Sequence, residues 1–229
     1  MERLDNYDFH RSAVIRFVIA AAALALFIVD AYLVQTGRTE AVDQAVGSFA
    51  RSTRGPVTDP IWIVITYAAY KMTIIGEIAV LILIPRTRLP VGVPAALSST
   101  AGLIVYKIMK TSFARPRPDR ALWLITEHGF SFPSGHSMNG LIFYGLMIFM
   151  IRRYCRDRKT ANILTVLLSL LILGIGWSRI FVGVHYVTDV AGGLLMGLCW
   201  VMLVSVLLDW IVEKRKDEAW RSKSGISSN

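Results

Sequence analysis

The stretch ANILTVLLSLLILGIGWSRIF (Ala161–Phe181), then VGVHY, then VTDVAGGLLMGLCWVMLVSVLLDWIV (Val187–Val212), decides the class of this chain. Crossing the hydrocarbon core of a bilayer takes about 20 mainly apolar residues, and each of these runs is that long. Further apolar runs lie at Val14–Val34, Ile61–Ile84, Val91–Met109 and Met138–Ile151, the last reaching full length if it begins near Ser134. Tyr70-Lys71 interrupts the second run, so a short surface helix followed by the span proper is one reading of it. With 54% hydrophobic residues in 229, six spans fill nearly the whole chain. The expected fold is all-α: a polytopic membrane protein with six transmembrane helices in one bundle, residues 1–229 forming a single domain (spans 14–34, 61–84, 91–109, 134–151, 161–181 and 187–212).

The net charge of +9 suggests nucleic acid until its placement is considered. Arg3, Arg11 and Arg16 accompany the first run. Arg86 and Arg88 lie between the second and third. Arg152, Arg153, Arg156, Arg158 and Lys159 lie between the fourth and fifth, and Lys214, Arg215, Lys216, Arg221 and Lys223 follow the sixth. Six crossings put all four segments on one face, and the positive-inside rule makes that face cytoplasmic. The basic excess therefore reads as topology and contact with anionic lipid headgroups. No basic stripe with interleaved aromatics exists outside the spans, so nucleic acid is not an expected partner. Cys155 and Cys199 fall in a cytoplasmic loop and inside a span, positions that do not suit a disulfide. The N-terminal run is too long for a signal peptide and lacks a cleavage site, so it is expected to be a retained helix.

Ionisable residues at bilayer depth are expensive and mark function by default, and three clusters of them fall on the opposite face. KTSFARPRP (Lys110–Pro118) ends the third span with Lys110 and Arg117, a pair that lipid phosphates alone would also attract. FPSGHS (Phe132–Ser137) opens the fourth. A helix entrance with Ser134 and Gly135 presents free N–H groups and a positive dipole end, a natural seat for phosphate, and His136 stands in its first turn. SRIFVGVHYVTD (Ser178–Asp189) joins the fifth and sixth. His185 and Asp189 are four apart on one helix face. The carboxylate can fix the imidazole tautomer and leave the other nitrogen free as a nucleophile or base, while Arg179 offers a fork of donors for phosphate oxygens. A buried Arg–Asp pair is the structural alternative there. Metal binding is not expected, because few ligands compete with many cations.

This inventory fits transfer of a phosphoryl group to histidine: Lys110, Arg117 and Arg179 neutralise the phosphoryl oxygens and His136 moves the proton. Lys110-x6-Arg117-Pro118, Pro133-Ser134-Gly135-His136 and Ser178-Arg179-x5-His185-x3-Asp189 resemble, in order and over about 80 residues, the three motifs of the type 2 phosphatidic acid phosphatase (PAP2) superfamily. The combination is highly specific, whereas PSGH alone is weak. The resemblance implies His185 as nucleophile, Asp189 as its orienter and His136 as acid–base. It implies Lys110, Arg117, Ser134, Gly135 and Arg179 as phosphate ligands, with no metal and no cofactor. Arg115 is an extra cation, expected to reach a second phosphate or the headgroup region.

The six spans set the chain apart from the soluble phosphatases and haloperoxidases of the superfamily. The resemblance therefore implies a multi-pass lipid phosphatase of the bacterial inner membrane, with cytoplasmic termini and an outward-facing site. Its partners are a lipid phosphate substrate and the surrounding membrane lipids. Undecaprenyl diphosphate is the leading substrate by family analogy, ahead of phosphatidylglycerophosphate, phosphatidate and lipid A phosphates. A lipid-to-lipid phosphotransferase shares the same phosphohistidine chemistry, and a non-catalytic headgroup transporter would need the cations but not His185. Glu77 and Asp30 are candidate buried charges, with Lys71 or Lys107 as partners for Glu77. Gly193 and Gly197 read as a helix-packing stripe.

Overall fold

The computed structural model describes residues 9–224 and contains helices throughout. Helix α1 is Phe9–Gln35, α2 Glu40–Ser52, α3 Thr58–Tyr67, α4 Lys71–Leu83 and α5 Pro85–Thr87. A π-helical turn, Arg88–Gly92, leads into α6, Val93–Phe113. A 3₁₀ turn, Arg120–Leu122, interrupts the long loop before α7, Gly135–Tyr154, and α8 (Arg158–Phe181) and α9 (Val187–Ser224) close the chain. Arg3, and the side chains of Lys216, Arg221 and Lys223, lie outside the described residues.

The protein is an all-α, polytopic membrane protein. Helices α1, α8, α9 and the continuous stretch Pro85–Phe113 are each long and apolar enough to cross a bilayer. The pair α3 and α4, bent by 52°, makes a fifth candidate if it is one span. The break at Ala68–Tyr70 falls where Tyr70-Lys71 interrupts the apolar run. The fourth expected span, α7, is not among these candidates. Its sequence interleaves Gly, Ser and Asn with apolar residues, and half of its residues are buried. Such a helix is coated by neighbours rather than by lipid, so hydropathy alone passes it over.

α7 packs against α6, α8 and α9, and α1 covers α9 from outside. The α1–α9 contact follows from an alanine stripe: Ala20 and Ala23 let the backbone of α1 approach Cys199, Leu195 and Leu198. At the end far from Lys110 and His185, both oxygens of Asp209 meet arginines, Arg16 Nη2 and Arg153 Nη1, each at 2.6 Å. Two cations counted as headgroup contacts thus tie α1 and α7 to α9. Gly193 and Gly197 do pack within the chain: a Cβ at either would meet the backbone of α7, at Ser134 O and Met138 O.

The segment 35–60, between the first two apolar runs, holds α2. Val46 and Ala50 pack one face of it onto Ile180, Val190 and Trp177, while Val42 and Phe49 stay exposed. Its periodicity is confined to 13 residues between Gly37 and Gly55-Pro56, too short to stand out against its breakers. Glu77 pairs with neither lysine; its carboxyl lies 3.2 Å from the Tyr144 hydroxyl. Asp30 Oδ2 is buried without a hydrogen-bond partner.

Candidate active site

The three sequence clusters meet at one end of the bundle, where α6 and α8 finish and α7 and α9 begin. His185 stands in the short α8–α9 connection and is 3% exposed. The turn that delivers it depends on Gly183, whose φ is +82°, and a Cβ there would stand 2.2 Å from the carbonyl oxygen of Leu122. Leu124 N–H donates to Val182 O at 2.9 Å, so the long loop before α7 is pinned to the same turn.

His185 Nδ1 lies 3.2 Å from Asp189 Oδ2. The Ser131 hydroxyl donates a very short hydrogen bond to that same oxygen, and Tyr186 N–H donates to it at 2.8 Å. With its hydroxyl proton committed to Asp189, Ser131 can only accept from the imidazole. The arrangement makes Nδ1 the protonated nitrogen and leaves a lone pair on Nε2. Arg117 Nη1 donates toward Nε2 at 3.0 Å. Burial first, then the charges of Arg117, Lys110, Arg179 and Arg115, hold the His185 imidazole well below its usual range, in the neutral form.

The expected phosphate ligands surround this nitrogen. Ser134 caps α7, accepts from Ser137 N–H, and donates its own N–H to Asp189 O at 2.8 Å. The entrance of α7 is thereby bolted to α9. Gly135 follows, and a Cβ there would fall 2.6 Å from the Tyr106 ring, so no other residue fits without moving it. His136, in the first turn, is close enough for the charges of Arg179, His185, Lys110 and Arg117 to bear on it. Lys110 Nζ is buried with no hydrogen-bond partner, 5.0 Å from the centre of the Tyr106 ring.

Arg179 lies in the last turn of α8, not in the connection after it, and is fully buried. Its Nη1 donates to Thr66 Oγ1 at 2.8 Å and Nε has no hydrogen-bond partner. Nη2 stands 3.2 Å from Glu127 Oε1, close enough to pair as ions but not aligned as a hydrogen bond. The Arg–Asp pair considered as a structural alternative does form, but with Arg115: its Nη1 reaches Asp189 Oδ1 and its Nη2 reaches Asp43 Oδ2, both at 2.7 Å. Arg115 therefore points into the protein rather than to a second phosphate.

All eight residues expected at the site are gathered there. Several neighbours were not anticipated. Glu127 bridges Arg117 and Arg179, 3.2 Å from each, and is the most exposed group of the set. Tyr106, one helical turn before Lys110, had a signal in that spacing. Thr66 and Asp43 are 113 and 72 positions from their arginine partners, and nothing local marks them.

A phosphoryl-sized anion at this point would find guanidinium, ammonium and helix-entrance N–H groups beside an unprotonated imidazole nitrogen. The sequence profile of the PAP2 superfamily matches residues 92–213, more than half the chain. The chain belongs to the PAP2 superfamily. Phosphatidylglycerophosphatase B of Bacillus subtilis (strain 168) is 29% identical over 185 residues, which is 78% of this chain and 89% of that protein. The crystal structure of the first transmembrane PAP2-type phosphatidylglycerolphosphate phosphatase from Bacillus subtilis superposes with a TM-score of 0.73 at 26% identity, over 85% of this chain and 96% of the other. Aquifex aeolicus LpxE shares the fold, with a TM-score of 0.59 at 20% identity over 71% of this chain and 94% of LpxE. This PAP2 protein is thus a membrane lipid phosphatase, related to bacterial PgpB-like proteins. Among the described residues no three His, Cys, Asp or Glu side chains gather as metal ligands.

Proposed function

We propose that this PAP2 protein removes the terminal phosphate of phosphatidylglycerophosphate by way of a phosphohistidine on His185. The observation that carries the chemistry is the His185 ring: Nδ1 is held on Asp189 and Ser131, and Nε2 faces Arg117 at 3.0 Å among buried cations. The incoming phosphoryl group displaces the Glu127 carboxylate, and Arg117 turns from the imidazole nitrogen to a phosphoryl oxygen. Nε2 then donates its electron pair to phosphorus. The bond from phosphorus to the lipid oxygen breaks, and His136 gives that oxygen a proton. Lys110, Arg117, Arg179, the Ser134 hydroxyl and the Gly135 N–H stabilise the charge on the equatorial oxygens. In the second half His136 takes a proton from water, the water oxygen attacks phosphorus, and the P–N bond breaks to release inorganic phosphate.

The choice of lipid follows the Bacillus relative, whose name is that of a phosphatidylglycerophosphatase. This favours phosphatidylglycerophosphate over undecaprenyl diphosphate, the reading that family analogy alone had placed first. We further propose six crossings, with α7 as the sixth: its 20 residues span about 30 Å at 1.5 Å per residue. Six crossings place the Arg152–Lys159 turn on the cytoplasmic face with the termini, and the site on the outer face. Domain organisation follows the same reading, residues 1–229 acting as one unit.

Phosphate release from purified protein tests this with phosphatidylglycerophosphate, undecaprenyl diphosphate, phosphatidate and lipid A phosphate side by side. The expected result is the highest kcat/KM on phosphatidylglycerophosphate and none with His185→Ala. Faster turnover of undecaprenyl diphosphate would reverse the choice of lipid. Phosphate transfer that strictly requires a second lipid would make the protein a phosphotransferase.

A further inference from the structure

We propose that Asp43 and Arg115 are positioning residues of this site: α2, through Asp43, holds Arg115 against Asp189 and so sets the geometry of the His185–Asp189 pair. Asp43 precedes the family-matched residues 92–213, and neither residue belongs to the three motifs. The proposal rests on His185 being the nucleophile.

The network closes on itself. Asp43 is 2% exposed and Asp189 fully buried, and the Arg115 guanidinium lies between them with one nitrogen on each. Arg115 Nη1 also donates to Thr188 Oγ1 at 2.9 Å, while Thr188 N–H donates to Asp43 Oδ1 at 3.1 Å. Asp43 thus holds both the cation and the first turn of α9, the helix that carries Asp189. The guanidinium lies 4.2 Å from the centre of the Tyr186 ring, which fixes its plane. Asp189 Oδ1 is turned to Arg115 and Oδ2 to His185, Ser131 and Tyr186 N–H. Without Arg115, Oδ1 would be a buried acceptor lacking this cation, and the carboxylate could rotate away from the imidazole. Without Asp43, the second half of the guanidinium loses its hydrogen-bonded carboxylate and swings off Asp189.

A structural staple would make the same contacts, so the test must read the chemistry. The charged and titratable groups bearing on His185 are Asp189, Arg117, Lys110, Arg179, Arg115 and His136, and Asp30 of α1 bears in turn on Asp189, Asp43 and Arg115. Deleting the Arg115 cation eases protonation of His185, moving the acid limb of kcat/KM to higher pH. Asp43→Asn keeps the cation and does not move it that way. In detergent-purified full-length protein, phosphate release from phosphatidylglycerophosphate is measured against pH for Asp43→Asn, Arg115→Met, Arg115→Lys, the Asp43→Asn/Arg115→Met double variant, Thr188→Val and His185→Ala. Misplacing a catalytic group by about 1 Å costs on the order of 10²-fold, so kcat is expected to fall about that much in Arg115→Met, with KM little changed. Arg115→Lys should recover part of it, Thr188→Val should lose several-fold, and the double variant should be no worse than Arg115→Met, because both residues act through one contact. Wild-type kcat in Asp43→Asn and Thr188→Val, or losses that add in the double variant, overturn the proposal. Activity in His185→Ala instead overturns the catalytic reading beneath it, and the two failures are told apart in one set of assays.

Discussion

Two buried aspartates of α9 sit at opposite ends of the bundle, each beside arginines, and they do different things. Asp209 is met on both oxygens by guanidinium groups 2.6 Å away, from α1 and α7. Asp189 meets one arginine and gives its other oxygen to a neutral imidazole, a serine hydroxyl and a backbone N–H. Around Asp209 the charges are spent on one another and bind three helices. Around Asp189 the nearby cations are left over: Lys110 Nζ and Arg179 Nε have no hydrogen-bond partner, and Glu127 bridges Arg117 and Arg179 from a more exposed position. Buried charge with its partners in place is architecture, whereas a buried cation without them suits an anionic ligand.

The comparison breaks most sharply at His185 and Asp209. His185→Ala should remove at least about 10³-fold in kcat/KM while the protein melts normally. Asp209→Asn should do the reverse, costing about 3–5 kcal/mol of stability by stranding two arginines with kcat of the folded fraction nearly unchanged. Loss of turnover in Asp209→Asn at full folding would erase the distinction.

Lys110→Met sharpens it. Removing a buried ammonium with no hydrogen-bond partner should cost about 10²–10³-fold in kcat/KM, as for other electrostatic ligands of a transition state. The same change should raise the melting temperature, by about 2–4 °C for each ~1 kcal/mol of relief. A lowered melting temperature would mean that the cation is held by something other than its substrate.

Glu127→Gln probes the stand-in anion. With the carboxylate gone, inorganic phosphate should inhibit on the order of tenfold more tightly, a change of about 1.4 kcal/mol, and KM should fall with it. Unchanged inhibition would show that Glu127 does not compete for the seat.

The smallest effect is in pH. The proposed mechanism needs a neutral His185, and its folded pKa is depressed well below 6.5. The neutral form therefore persists as pH falls through the usual histidine range, and kcat/KM should hold through pH 6.5 before declining. An acid limb at or above pH 6.5 that vanishes in no other variant would place the controlling group elsewhere.

How much of this could be read from residues alone varies with distance along the chain. Lys110, Arg117, His136, Arg179, His185 and Asp189 were legible, because each stands at a helix end with a fixed spacing to a neighbour in its own motif. The four-residue step from His185 to Asp189 puts both on one side of a turn before any packing is known. Arg115 was visible as a cation but misread as facing outward, since what turns it inward is a carboxylate on another helix. Asp43 sat between the first two apolar runs, outside any motif, and Thr66 was a lone hydroxyl within the second run. The fourth expected span looked short because α7 mixes small and polar residues with apolar ones, a composition that suits a helix half buried by its neighbours.

The order of residues by itself determined that this chain lies in a membrane and that the polar motifs at the ends of its apolar runs are those of a phosphatase superfamily. Apolar length, charge placement and short spacings act within about one helical turn or one span, so they survive without a fold. Only the tertiary structure decided which cations pair and which stay open, that Glu127 bridges two of them, and that α2 reaches the catalytic pair through Asp43. Those are contacts between residues far apart in sequence, made only where packed helices bring them within hydrogen-bonding distance.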